Sequence, residues 1–279
     1  MTDTILVTGA NGNLGSATLA ALRARGAIAT GGSRTPGDGM RRLDFDDPTG
    51  MDLAGVSVLV LISAGYAEDD QVIGRHAAVL DAAARDGVQH VIYTSLTGAG
   101  DHLGFALAHR ATERLVRACG LPWTILRNGL YAELFGGLLM WADDGLESAF
   151  GDGAVAAVTR ADLAEAAALI AADPAQHGGR TYDLVGPPIT AEQVADRLGV
   201  PHRTIGLGEF RRRVLDEMPG LLPFQPPMLA SIATGIRHGF LAGAGPDLAD
   251  ILGRPVGDPL ATAVAVASAT RPGQPGGGR

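Results

Sequence analysis

The stretch "ILVTGANGNLGSATLAALRARG", residues 5–26, decides the fold. Its first four residues are aliphatic or β-branched, as in a buried strand, and its last thirteen carry leucine and alanine at helical spacing. Gly9, Gly12 and Gly15 lie between the two segments. A glycine-rich turn between a strand and a helix brings backbone N–H groups and a helix N-terminus against a pyrophosphate. We therefore predict a dinucleotide-binding loop; the alternative is a glycine-rich turn that binds nothing.

The same strand-then-helix order repeats along the chain. Strand-like and helical segments alternate at residues 4–8, 14–25, 56–62, 72–85, 88–94 and 105–119. The runs "VSVLVLIS" and "VQHVIYTS" are apolar nearly throughout, which is typical of central strands covered by helices on both faces. We also expect a strand at 124–127, a helix at 131–144, and helices that open with capping-box patterns at Thr159 and Thr190. The order predicts the α/β class: a doubly wound parallel sheet, or Rossmann fold, with a smaller C-terminal lobe.

Composition excludes several classes of protein. A net charge of −8 argues against a nucleic-acid surface, and a single cysteine, Cys119, excludes an internal disulfide framework. No uninterrupted apolar run reaches the ~18 residues that a membrane span needs, and the first residues lack the pattern of a signal peptide. We expect a cytoplasmic protein with no membrane or nucleic-acid partner and no metal site. The sequence leaves open whether it forms a homodimer.

The end of the second strand indicates which dinucleotide is bound. A protein that reads the 2′-hydroxyl of NAD(H) places Asp or Glu about 20 residues past the glycine loop. Here the region holds Ser33 and Arg34 instead. Arginine pairs well with a phosphate, and serine can donate a hydrogen bond to it, so we predict NADP(H). The alternative is that Arg34 is a surface cation in a loop.

Further cofactor contacts follow from topology, because ligands of open α/β sheets bind at the carboxyl ends of the strands. The residues at those ends could instead be ordinary turn residues. For Asp46 and Asp47 before Pro48, a purely structural role in the turn is as well supported as cofactor binding. The candidate cofactor-binding residues are Gly9, Asn11, Gly12, Asn13, Leu14, Gly15, Ser33, Arg34, Asp44, Phe45, Ser63, Ala64, Gly65 and Thr94.

After Gly186, proline and glycine interrupt short helical pieces, and no further strong strand-helix repeat follows. We divide the chain into an NADP-binding Rossmann domain at 1–186 and a smaller, mostly helical substrate lobe at 187–270. The lobe can exchange a strand or helix with the first domain. Residues 271–279 are rich in Pro and Gly and are expected to be disordered.

Six segments resemble the NmrA-like atypical short-chain dehydrogenases, and among them the type 2 NADPH:quinone oxidoreductases. These segments are "TGANGNLG", "VLVLISAG", "VQHVIYTSL", "HRATERLV", "WTILRNGLYAE" and "AVAAVTRADLAEAAA". The similarity runs from Thr4 to about Leu198, and residues 248–264 are also similar to the C-terminal end of that family. The resemblance implies an NADP-binding domain, a small lobe and a substrate cleft between them. Some NmrA-like proteins bind the dinucleotide as regulators and reduce nothing.

His109 and Glu113 occupy the positions where a short-chain dehydrogenase is expected to carry Tyr-x-x-x-Lys, with Ser95 upstream as the expected catalytic serine. Reduction of an ordinary ketone gives a strongly basic alkoxide and benefits from a placed proton donor. Reduction of a quinone gives a phenolate, whose conjugate acid has a pKa of ~10, so water or a neutral His can complete it. The missing dyad favours an electrophilic acceptor. His109 is either a donor, a pocket wall or a surface residue paired with Glu113; for Glu113 we expect salt bridges with Arg110 or Arg114.

The segment "RNGLYAE" supplies the other acceptor-site candidates. Asn128 can hydrogen-bond a carbonyl, and Tyr131 can stack on a flat ring or, alternatively, pack as a half-buried aromatic at a helix start. The predicted function is NADPH-dependent hydride transfer to a quinone or quinone-like aromatic carbonyl, with Asn128, Tyr131, His109 and Ser95 as catalytic candidates. Two alternatives are a non-catalytic NADP(H)-sensing regulator that binds a protein partner, and a reductase or isomerase of a bulky carbonyl metabolite.

Overall fold

The computed structural model describes residues 4–64, 67–218 and 220–272, and within these ranges the chain forms twelve strands and ten α-helices. The strands are β1 (Thr4–Val7), β2 (Ile28–Ser33), β3 (Arg41–Arg42), β4 (Val58–Leu61), β5 (His90–Leu96), β6 (Trp123–Asn128), β7 (Met140–Trp141), β8 (Leu146–Ser148), β9 (Ala154–Ala156), β10 (Arg180–Leu184), β11 (Pro188–Thr190) and β12 (His202–Thr204). The helices are α1 (Asn13–Ala24), α2 (Asp69–Arg85), α3 (Ala106–Ala118), α4 (Ala132–Gly137), α5 (Arg160–Ala172), α6 (Ala191–Leu198), α7 (Leu207–Glu217), α8 (Gln225–Arg237), α9 (Asp247–Leu252) and α10 (Pro259–Ala269).

Seven strands form one parallel sheet in the order β10-β6-β5-β4-β1-β2-β3. Helices α1, α5 and α9 cover one face, and α2 and α3 cover the other. The predicted doubly wound α/β sheet is therefore confirmed. Because β1 lies between β2 and β4, the chain changes direction across the sheet there, and this switch point opens a crevice at the carboxyl ends of the strands.

The two apolar runs form the centre of the sheet as predicted. All residues of β4 and β5 are buried, which agrees with strands that have helices on both faces. Both predicted helix starts are also present. The Thr159 hydroxyl accepts a hydrogen bond from the Asp162 N–H, and Thr190 forms a complete capping box with Gln193.

The helix expected at 131–144 is wrong in length, since α4 ends at Gly137 and β7 follows. Helix α10 packs across α4, where a Cβ on Gly136 would lie 2.4 Å from the carbonyl oxygen of Ala263. Two small sheets, β12-β8-β7 and β11-β9, were not predicted, because strands of two or three residues are too short to show periodicity. They connect the segment before α5 with the chain after Gly186.

The C-terminal helices return to both parts of the molecule. Helix α9 packs on α5 and β10 of the main sheet, whereas α10 packs on α4 and α6. We still propose a domain boundary near residue 186. In this division, α9 packs on the Rossmann domain although it belongs to the C-terminal part of the chain. None of the helices in the described ranges is long and apolar enough to cross a membrane. Residues 273–279 of the predicted tail lie outside the described residues.

Candidate cofactor and acceptor site

A cleft of 420 Å³, here called the cofactor cleft, lies at the carboxyl ends of β1 to β4. Eleven of the fourteen candidate cofactor residues line it. They are Gly9, Asn11, Gly12, Asn13, Leu14, Gly15, Ser33, Arg34, Phe45, Ser63 and Ala64. Asp44 and Thr94 are not among the lining residues, and Gly65 lies outside the described residues. The cleft is at the switch point, where topology places a dinucleotide.

The glycine loop has the shape of a phosphate cradle. Gly9 has a φ of +59°, which favours glycine, and the Gly12 N–H donates to the Gly9 carbonyl over 2.8 Å. A Cβ on Gly15 would lie 2.3 Å from the Gly9 oxygen. Helix α1 begins directly after Gly12 with no side-chain cap and no acidic residue in its first turn. Its first N–H groups are therefore open to an anion, which fits a pyrophosphate.

Hydrogen bonds tie this loop to the end of β2. The Asn11 amide donates to the Ser33 hydroxyl over 2.8 Å and to the Thr35 carbonyl over 2.9 Å. The Ser33 oxygen also accepts from the Thr35 N–H, so its own hydroxyl hydrogen is left to donate. Arg34 lines the cleft and forms no ion pair within the described residues. The Ser33 hydroxyl and the Arg34 guanidinium can together bind a phosphate.

An ion pair closes the cleft beside Phe45. The Arg75 guanidinium donates two hydrogen bonds to Asp46, over 2.7 and 2.8 Å. These bonds lower the pKa of the Asp46 carboxyl from its ordinary value, with burial acting in the opposite direction. Asp44 instead accepts from the Asp46 N–H and shapes the turn. The Asp46–Arg75 pair fixes a wall that the sequence did not indicate, because its members are 29 residues apart.

A fully buried histidine, His76, supports the end of β4. Its Nε2 lies 3.0 Å from the Ala64 nitrogen, and its Nδ1 lies 2.8 Å from the Thr112 hydroxyl. Because a backbone N–H can only donate, Nε2 carries no proton, and the ring proton is on Nδ1. Burial lowers the pKa of His76 to about 3, so the ring stays neutral. The Thr94 hydroxyl supports the same segment by accepting from the Ser63 N–H.

Tyr131 is the one residue among the four catalytic candidates, all of them described, that lines the cofactor cleft. It precedes α4 and pairs with Val158 in an isolated bridge. The Arg160 guanidinium lies 4.7 Å from the centre of its ring, and Arg160 also lines the cleft. Arg160 covers part of the surface on which we expected a flat ligand to stack. It also adds positive charge to a cleft that is suited to an anion.

His109 is bonded to Tyr93 rather than to Glu113. Its Nδ1 lies 3.0 Å from the hydroxyl of Tyr93, a fully buried residue of β5. Burial, and then the positive charge of Arg110, lower the pKa of His109 to about 4, although Glu113 acts in the opposite direction. Burial raises the pKa of Tyr93. Both rings are therefore neutral near pH 7, and of the alternatives left open for His109, its pairing with Glu113 is not found.

Glu113 is the centre of a buried ionic network. Its carboxylate, 1% exposed, accepts two hydrogen bonds from Arg127 and others from Arg110, Arg117 and Ser95. Burial alone raises the pKa of Glu113, but the bonds from Arg127 and Ser95 outweigh it and hold the pKa at about 2. The pairing with Arg110 is confirmed. The hydroxyl of Ser95, a catalytic candidate, donates a hydrogen bond to Glu113, and Ser95 is not among the residues that line the cleft.

Asn128 ends β6 and is 5% exposed. Its backbone carbonyl accepts a hydrogen bond from the Thr97 N–H over 2.9 Å. Its side-chain Oδ1 has no hydrogen-bond partner within the described part of the chain. A buried amide with unused bonding capacity is costly, so Asn128 stays a candidate for a polar contact with a ligand.

A family model described as "NAD(P)H-binding" matches residues 9–174, more than half of the chain. The curated protein "Quinone oxidoreductase 2" of Escherichia coli (strain K12) is 33% identical over 231 residues, which are 77% of this chain and 78% of that protein. The chain belongs to the NAD(P)H-binding family. Its similarity to a type 2 quinone oxidoreductase confirms the resemblance seen in the sequence.

Two solved structures are similar over nearly the whole chain. The triphenylmethane reductase of Citrobacter sp., complexed with NADP(H), has a TM-score of 0.83 and 28% identity, and covers 95% of this chain and 99% of its own. The NADPH-dependent quinone oxidoreductase of E. coli, complexed with NADPH, has a TM-score of 0.82 and 28% identity, and covers 94% and 99%. These relatives and the family model confirm the predicted NAD(P)H-dependent oxidoreductase with NADP(H) as cofactor.

Sequence reasoning missed several residues of this family member's site. Arg75, His76 and Arg160 belong to helices whose helical pattern gives no sign of a ligand. The position of Arg160 directly after the Thr159 cap is the one available signal, since a helix start after a strand often faces a ligand. The other two are positioned by contacts with residues far along the chain.

Substitution of His76 tests its support of the cofactor segment. His76→Leu leaves the partly buried Ala64 N–H without its acceptor, which costs ~1–3 kcal/mol unless the segment moves. We expect NADPH to bind about tenfold more weakly, and His76→Gln to restore part of the affinity because its carbonyl can accept. The measurement is the NADPH dissociation constant, with thermal unfolding recorded in parallel. Equal affinity of His76→Leu and the unaltered protein contradicts this role.

Proposed function

We propose that this chain is an NADPH-dependent reductase that transfers hydride to a quinone or a quinone-like aromatic carbonyl. Two observations carry the proposal. The cofactor cleft is lined by Ser33 and Arg34, which suit a 2′-phosphate, and a neutral His109 stands at the position where a short-chain dehydrogenase carries its catalytic Tyr. The names of the relatives support it: one is a quinone oxidoreductase and another reduces triphenylmethane dyes.

Each part of the cleft suits one part of the dinucleotide. The glycine loop and the start of α1 bind the pyrophosphate, and Ser33 and Arg34 bind the 2′-phosphate. Phe45 and the Asp46–Arg75 pair border the adenine, and the end of β4 borders the ribose next to the nicotinamide. When bound, NADPH supplies the hydride. The protein supplies orientation and excludes water.

The neutral residues near His109 suit an acceptor that needs little acid catalysis. If Tyr93 donates to Nδ1 of His109, the ring proton is on Nε2, where it can donate to a carbonyl oxygen and stabilise developing negative charge. The hydroquinone anion takes its proton from water, because phenols have a pKa of ~10. Asn128 and Tyr131 are the proposed acceptor contacts. Ser95 is left out of this proposal, since its hydroxyl belongs to the Glu113 network.

Arg34→Ala tests the choice of cofactor. A charge-assisted hydrogen bond contributes ~1.5–3 kcal/mol, so we expect NADPH to bind about 10- to 100-fold more weakly and NADH to bind as before. Arg42→Ala is the matched control, because Arg42 is a nearby exposed arginine outside the cleft lining. Dissociation constants for both dinucleotides provide the measurement. An unchanged preference for NADPH in Arg34→Ala removes the assignment.

The proposed reaction is tested by mixing the purified protein with NADPH and a series of quinones and following nicotinamide absorbance. Oxidation of NADPH above the rate with heat-inactivated protein supports the reductase. Tight NADPH binding without oxidation by any acceptor overturns the proposal in favour of the NADP(H)-sensing regulator. Turnover of bulky ketones but not of quinones favours the reductase of a bulky carbonyl metabolite instead.

A further inference from the structure

A second cavity, here called the acidic cavity, lies outside the cofactor cleft and has a volume of 510 Å³. The first turn of α2, the turn before α3 and the start of α8 line it, and it is open to solvent on one side. The residues used below are Glu68, Asp69, Asp70, Phe105, Phe224 and Met228. Its volume lies in the range of small-molecule sites, which are ~300–1,000 Å³.

The walls of the acidic cavity suit a flat apolar ring. Phe105 and Phe224 come from different elements, and Met228 adds a polarisable thioether. The Gly104 N–H donates to the Ser231 hydroxyl over 3.0 Å, which fixes the turn that carries Phe105 against α8. Phe224 directly precedes the same helix, so both aromatic residues lie beside the contact between that turn and α8.

The acidic cavity is close to the groups proposed for hydride transfer. Ala64 lines the cofactor cleft and Ala67 lines the acidic cavity, and three residues of chain span at most about 11 Å. The centre of the Phe105 ring lies 6.2 Å from that of His109. The acidic cavity therefore begins within about 11 Å of the cofactor segment, and one of its lining residues, Phe105, is in ring contact with His109.

The acidic side chains at the rim of the cavity are not neutralised by basic side chains of the described residues. Glu68, Asp69 and Asp70 form no ion pair within the described residues, and the cavity lining described there contains no Lys or Arg. Glu68 is the N-cap of α2, but its side chain makes no capping bond. The dipole of α2 stabilises acids in its first turn and leaves their charge exposed to a ligand. A concave apolar site with three like charges concentrates a negative potential.

We propose that the acidic cavity holds the part of the acceptor that extends beyond its contacts with Asn128, Tyr131 and His109, and that it selects flat aromatic acceptors with a positively charged substituent over neutral and, above all, anionic ones. The outer ring of the acceptor packs against the apolar lining that includes Phe105 and Phe224, and the positive group faces the rim of Glu68, Asp69 and Asp70. This inference rests on the proposed function, because it names the acceptor class for that reaction.

The test compares three naphthoquinones that differ in one substituent: trimethylammoniomethyl, methyl or sulfonate. Dissociation constants are measured by calorimetry with saturating NADP⁺, so that no hydride is transferred. We expect the cationic compound to bind about tenfold more tightly than the neutral one and the anionic compound about tenfold more weakly. Added salt should reduce these differences, since exposed charges are screened.

Two variants assign the effect to the cavity. The triple variant E68Q/D69N/D70N is expected to give nearly equal affinities for the three compounds. The control D143N/D144N/E192Q removes the same charge from exposed residues outside the cavity and should keep the original order. Phe105→Ala is expected to weaken all three compounds about three- to tenfold through loss of the ring contact.

The outcomes separate this inference from the proposed function. Equal affinities in the unaltered protein, an unchanged order in E68Q/D69N/D70N, or full affinity in Phe105→Ala overturns the acidic cavity as a charge-selective acceptor site. Turnover of the neutral quinone under any of these outcomes leaves the reductase proposal intact. The expected order of binding without turnover of any quinone retains the cavity as a charge-selective binding site but overturns the reductase, and with it the role of the cavity in holding an acceptor.

Discussion

Gly15→Ala is expected to abolish tight binding of NADPH. The added Cβ would lie 2.3 Å from the Gly9 oxygen, 2.7 Å from its carbonyl carbon and 2.9 Å from the Thr8 oxygen. All three are backbone atoms, so the loop itself has to move. We expect an affinity loss of at least about 100-fold and an unfolding free energy lower by ~1–3 kcal/mol, as in other overpacked sites.

Gly74→Ala is the matched control for that experiment. Gly74 is also a helical glycine, but a Cβ there meets no atom within 4 Å. Alanine has the higher helix propensity, so this variant should be more stable by about 0.5–1 kcal/mol and bind NADPH normally. Denaturant unfolding and NADPH titration are done on both variants. Normal NADPH affinity in Gly15→Ala contradicts the proposed loop contact with the pyrophosphate.

Glu113→Gln is expected to cause a large loss of stability. The substitution removes the charge that faces Arg110, Arg117 and Arg127 in a buried site, and breaking a buried ion pair costs ~3–5 kcal/mol. The pKa of Glu113 falls from the ordinary 4.5 to about 2, which corresponds to ~3 kcal/mol. We expect a loss of about 3 kcal/mol in the free energy of unfolding at pH 7.

The pH dependence distinguishes this effect from a packing defect. Because the folded pKa is lowered, the stabilisation is fully present above pH 4.5 and is lost as the pH falls through 2. The difference between Glu113→Gln and the unaltered protein should therefore shrink to about half by pH 3. Glu165→Gln is the control, since Glu165 pairs with Arg25 and Arg254 at the surface and should cost below ~1 kcal/mol. A pH-independent difference contradicts the ionic assignment.

The acceptor side shows where sequence reasoning had limits. The i, i+4 spacing placed His109 and Glu113 on one helix, but it did not determine their partners. Tyr93 bonds His109 from the neighbouring strand, and Arg127 bonds Glu113 from the strand beyond. A buried carboxylate pairs with whichever cations the packing places beside it. One of them here, Arg127, is 14 residues from Glu113 in the sequence. The sequence therefore left a pairing of the two side chains open as an alternative, and the structure does not contain it.

The sequence by itself determined the α/β sheet, the glycine loop, the caps at Thr159 and Thr190, and the placement of Ser33 and Arg34 at the end of β2. These features depend on hydrophobic period, backbone freedom and hydrogen bonds between residues a few positions apart, and all of that information is local. Only the tertiary structure decided the place of His76 under the cofactor segment, the Glu113 network and the acidic cavity. Their groups meet because separate helices pack on one sheet, and each polar group then bonds whichever partner that packing leaves within about 3 Å.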